Sequence, residues 1–155
     1  AELATAIEGI YAAALDELRL AVEVAGDGRP LQVALGQLRL LARAIEDEFG
    51  FAVPVVVRTA EDLAAVVAAD PLGHLATDPS HYSVTFFAEP LDPDRMAAAP
   101  TVEGAALATG NRELYLWLPG GFTGPAAAVN WDRVLGQAGT NRNWRTVTKL
   151  VELTR

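Results

Sequence analysis

The chain has 155 residues, 51% of them hydrophobic, with 20 acidic against 12 basic side chains and a formal net charge of -8. That length suits one domain or two small lobes, and that apolar content argues against disorder. A field of this sign repels phosphate backbones, so nucleic acid is not an expected partner, and the lack of cysteine excludes disulfides and thiolate chemistry.

In chain order, the segment from Ala4 to Ile10 reads as a short strand running into a turn. Leu15, Leu18, Ala21, Val22 and Ala25 then recur at helical spacing ahead of Gly26. Asp27-Gly28-Arg29-Pro30 is a turn. Leu31, Val33 and Leu35, then Leu38 and Leu40, alternate with other residues and suggest two short strands meeting near Gly36. Ala42 to Phe49 reads as a helix stopped by Gly50. The run from Val53 to Val57 is β-branched, with Pro54 near its start, where a missing donor is tolerated.

Thr59 precedes Glu61 and Asp62 as an N-cap precedes a first acidic turn, opening a helix through Ala69 that Asp70-Pro71 ends. His81 to Ala88 alternates, with Tyr82, Val84 and Phe86 on one side and His81, Ser83, Thr85 and Phe87 on the other. Asp92-Pro93 starts a short helix that Pro100 closes. Ala105 to Thr109 and Glu113 to Leu118 flank the turn Gly110-Asn111-Arg112 as a hairpin. Ala126 to Gln137 reads as one helix. Asn143 caps a last helix whose apolar stripe is Trp144, Val147, Leu150 and Val151. The expected fold is α+β, two ferredoxin-like βαββαβ lobes with antiparallel sheets and helices on one face of each. A shortened first lobe spans 1-59. Residues 60-155 supply a linking helix, the second lobe and a closing helix in place of a full fourth strand.

The stretch Thr140-Asn141-Arg142-Asn143-Trp144-Arg145-Thr146-Val147-Thr148-Lys149-Leu150 resembles the C-terminal signature of a bacterial family known as domain of unknown function 1697. Phe49 to Arg58 is similar to the end of that family's first lobe, Glu61 to Val67 to its linking helix, and Asn111 to Leu116 to its later hairpin. The resemblance implies the same two-lobe architecture and carries no activity. This chain departs from the family in three loops. Glu8-Gly9-Ile10-Tyr11 stands for Arg-Gly-Ile-Asn, Leu35-Gly36-Gln37 for Ser-Gly-Asn, and Pro125-Ala126 for Ser-Lys. A cation, an amide and a hydroxyl are thereby lost from loops suited to a polar ligand, and Tyr11 becomes a candidate contact.

Two places invite a ligand. Arg142, Asn143 and Arg145 gather at a helix start, where backbone amides attract carboxylate or phosphate, although one of the protein's own carboxylates would serve as well. The second is a face made of His81, Ser83, Thr85 and Phe87 with Glu113, Tyr115 and Trp117. On that face His81 and Glu113 would supply acid/base chemistry, unless another lobe or a second chain covers it. His74 reads as a solvated loop residue, and no metal motif, phosphate loop or nucleophile elbow is present. No apolar stretch approaches the ~20 residues of a bilayer span, and no leader is evident. The sequence reading is therefore a cytoplasmic, cofactor-free protein, monomeric or homodimeric. It binds a small organic molecule, an anion where the arginines gather, on the sheet face or between the lobes. The alternative is a cofactor-independent cyclase, isomerase or lyase acting on a small organic substrate in a bacterial biosynthetic pathway.

Overall fold

The computed structural model describes residues 31-50, 56-121 and 125-154. Its contacts divide the chain into two units, Ala1–Val55 and Val56–Arg155. The opening strand, the helix and the turn expected between Ala4 and Pro30 lie outside the described residues.

In the first unit, helix α1 runs through Leu31–Phe49. It replaces the two strands expected between Leu31 and Leu40. Leu31, Leu35, Leu38, Ala42 and Ile45 fit a helical period as well as alternation. Leu, Gln, Arg and Ala favour the helix over 19 residues. Gly50 ends it at φ 72°, donating its amide to the Glu46 carbonyl at 2.8 Å.

The second unit begins with Val56 and Val57, which belong to no strand. The rest of the strand expected from Val53 lies outside the described residues. Helix α2, Ala60–Ala69, opens on a capping box: the Thr59 hydroxyl accepts from the Asp62 amide and the Asp62 carboxylate accepts from the Thr59 amide. Then come β1 (Tyr82–Phe87), α3 (Pro93–Ala97), β2 (Ala106–Thr109), β3 (Glu113–Trp117), a 3-10 turn (Pro125–Ala128), α4 (Trp131–Leu135), β4 (Gly139–Asn143) and α5 (Trp144–Leu153). The helix expected from Ala126 to Gln137 is thus a turn and a short helix, divided at Asn130, whose side chain caps α4.

All four strands are antiparallel, in the order β2-β3-β1-β4. The fold is mixed α+β, and the unit from β1 to β4 has the order βαββαβ. The fourth strand, not expected from the sequence, is polar and pairs with β1 from Ser83↔Asn143 to Phe87↔Gly139.

Helices cover both faces of this sheet, where one face was expected. On one side Tyr82, Val84, Phe86, Tyr115 and Trp117 pack against Leu63 and Val66 of α2 and Val147 and Val151 of α5. On the other, Phe87, Leu114 and Leu116 meet Trp131 and Leu135 of α4. Val84 and Val147 are completely buried. Each such side chain contributes roughly 1.5–3 kcal/mol relative to exposure. The second layer exists because β1 is apolar at Phe87 and β3 at Leu114 and Leu116, on the face opposite the aromatic one.

Candidate functional site

The register sorts the nominated residues. Tyr82 stands opposite Trp117, Val84 opposite Tyr115 and Phe86 opposite Glu113. Paired residues share a face, so Glu113, Tyr115 and Trp117 lie with Tyr82, Val84 and Phe86, and not with Ser83, Thr85 and Phe87. The mixed aromatic and polar face expected from the sequence is therefore divided between two sides of the sheet. Tyr115 and Trp117 are sealed under α2 and α5, and the Tyr115 hydroxyl donates to the Val66 carbonyl at 3.3 Å.

Glu113 is committed elsewhere. Its Oε1 accepts from Arg58 Nε at 3.1 Å and lies 3.0 Å from Arg58 Nη2, and its Oε2 accepts from the Arg112 amide at 3.0 Å. The Arg58 side chain is only 5% exposed and also donates to the carbonyls of Val57, Phe87 and Arg112. Its guanidinium sits 5.4 Å from the centre of the Phe86 ring. Five residues of β1 separate the Glu113 end of the pair from His81, about 17 Å at strand rise. The two cannot act on one substrate atom as acid and base.

His81 lies at the other end of the strand, its ring 6.1 Å from that of Trp117. There the chain forms a polar turn, Asp78-Pro79-Ser80-His81. The Asp78 carboxylate accepts from the Ser80 amide at 2.8 Å and from the Ser80 hydroxyl at 2.7 Å. These bonds, side chain first, hold its pKa below the ordinary carboxylate value against an opposing effect of desolvation, and the charges of His81 and Arg145 lower it a little further. On the side of the sheet that meets α4, Ser83 and Thr85 are buried, and the Asn141 amide donates to both hydroxyls at 3.0 and 2.8 Å.

Beside the turn, β4 runs directly into α5. Asn143 caps the helix, its carbonyl oxygen accepting from the Thr146 amide at 2.8 Å. Asn143, Arg145, Thr146, Lys149 and Leu150 line an open groove of about 340 Å³. Arg145 reaches Asp78 at only 4.0 Å, with both side chains largely exposed, and Lys149 pairs with Glu152 at 3.0 Å, again in solvent. Pairs of this kind hold their partners weakly. Arg142 is exposed, donates to the Asn141 carbonyl at 2.8 Å and does not line the groove. Trp144 stacks on Tyr82 at 4.5 Å.

Of the nominated residues the groove unites Asn143 and Arg145, with His81 near by through Asp78. It leaves aside Arg142, Glu113, Tyr115 and Trp117. Tyr11 lies outside the described residues. Sequence reasoning missed Lys149, which helical spacing from Arg145 places on the same face, and Asp78, signalled by its turn-forming Asp-Pro-Ser. It also missed Arg58, which no local pattern marks as buried. Among the described residues no three His, Asp or Glu side chains are placed to hold a metal ion, and no helix is long and apolar enough to cross a membrane. No curated protein and no solved structure matches the chain. Residues 36-115, just over half of its length, match the model of the family described as Protein of unknown function (DUF1697), and the chain belongs to that family.

Proposed function

We propose that this protein binds a small organic anion, without a cofactor, in the groove at the start of α5. The observation that carries the reading is the pairing of Arg145 and Lys149 on one groove wall beside a capped helix start. The positive end of the helix and two cationic side chains favour a carboxylate or phosphate there, in a protein that is otherwise acidic. Asp78 is a weak occupant of Arg145 and yields to a better ligand. The reading includes a cytoplasmic location and a ferredoxin-like fold for the unit from β1 to β4, supported by its βαββαβ order and by its sheet order. In the alternative reading, a cofactor-independent enzyme, His81 or Glu113 would act alone as acid/base, because the two sit at opposite ends of the strand pair.

An open groove with two charge-assisted contacts implies weak binding, with Kd about 1 mM. Titrating the 15N-labelled protein with inorganic phosphate and with malonate tests it. Amide shifts are expected from Asn143 to Leu150, weakened by added salt and lost in the Arg145→Ala/Lys149→Ala variant. Saturating neither anion by about 20 mM, or equal shifts in that variant, would sink the reading.

A further inference from the structure

Arg58, Glu113, Arg112 and Asp62 form a chain of contacts that the proposed anion site does not use. Arg58 holds the Glu113 carboxylate and three backbone carbonyls, from Val57, Phe87 and Arg112. The carboxylate in turn takes the Arg112 amide, and Gly110 leaves room for it: a Cβ at Gly110 would stand 2.7 Å from Glu113 Oε2. Arg112 carries the chain onward through its side chain, 3.5 Å from Asp62 Oδ2. That same oxygen accepts from the Thr59 amide and so closes the capping box of α2. The path starts and ends within residues 58-62, passing through the β2-β3 turn.

A buried ion pair is a poor stabiliser, because desolvating two charges offsets their attraction; it is better suited to fixing one arrangement against others. Here it grips a segment with no strand of its own, since Val56 and Val57 join no ladder. We propose that these four side chains are a conformational latch coupling the first turn of α2 to the β2-β3 hairpin turn, so that loosening either end loosens the other.

Amide hydrogen exchange in the intact chain reads this directly, at the bonded amides of Thr59 and Asp62 on one side and Gly110 on the other. In Glu113→Gln, which keeps the shape but removes the charge, all three are expected to exchange about tenfold faster, while the amides of β1 keep their protection. Faster exchange at Gly110 alone, with Thr59 and Asp62 unchanged, would overturn the latch. Should that variant fail to fold, Arg112→Ala keeps the backbone donor to Glu113 and removes only the side-chain arm to Asp62. It is expected to speed Gly110 and Thr59 together, by about threefold. A change confined to one end would again overturn the proposal.

Discussion

At Gly139 the backbone of β4 passes so close to β1 that an added Cβ would stand 2.6 Å from both the Phe87 ring and the Thr85 methyl. Phe87 is wholly buried and cannot yield. Gly139→Ala is therefore expected to cost about 1–3 kcal/mol, read as a lowered denaturant midpoint. Two tyrosines make an alkaline prediction. Burial pushes Tyr115 up from 10.0 to about 12, with the charges of Glu113 and then Asp70 adding to it. Tyr82 rises too, chiefly because its phenol is buried; the neighbouring Asp70 raises it further, against a smaller opposing effect of the Leu72 backbone. The fold favours both neutral phenols, so their stabilisation is complete below pH 10 and is lost as the pH rises, for Tyr115 through about 12 and for Tyr82 in the same direction. Tyrosinate absorbance from these two rings should appear together with the loss of near-ultraviolet dichroism; its appearance in a folded protein would contradict their burial. At Asp78, replacement by Asn should tighten phosphate binding about two- to threefold by freeing Arg145, measured in the same titration. Unchanged affinity would mean that Asp78 does not compete.

Among the elements, α5 depends on one side chain for its start. Asn143→Ala removes the acceptor for the Thr146 amide and should cost about 1 kcal/mol, visible as a lowered melting temperature. The caps at Thr59, Asp92 and Asn143 were legible because capping is a local code of two or three residues. The hairpin around Gly110 and the alternation of β1 were legible for the same reason. Leu31 to Leu40 misled because leucines spaced by two and by three or four satisfy both periods. Strand β4 was illegible: Gly139-Thr140-Asn141-Arg142-Asn143 has no apolar alternation, and β1 alone makes it a strand. The division of the nominated face had the same origin. Each strand's alternation was correct, but which side of β3 faces which side of β1 is set by their register, and that is a distant property.

For the molecule as a whole, both apolar clusters draw their described members from Val56 onward, so each face of the sheet is closed by helices of the same unit. Residues 56-155 produced alone are expected to melt cooperatively with helical and strand dichroism. A non-cooperative transition would show that the core needs help from the preceding residues. The groove was half legible at this scale. Asn143 and Arg145 announce a helix start, whereas the neighbouring Asp78 turn arrives only because β1 and β4 lie side by side.

That neighbourhood has a consequence during synthesis. Strand β1 receives its outer partner from Gly139–Asn143, with Asn141 bonding to Ser83 across 58 positions. A nascent chain can form the β2-β3 hairpin early, yet Ser83 and Thr85 have no amide to satisfy them until β4 has left the ribosome, and Val84 waits for Val147. Closure must then wait for β4, with slow, long-range kinetics, leaving one flank of β1 open to mispairing while the intervening residues are made.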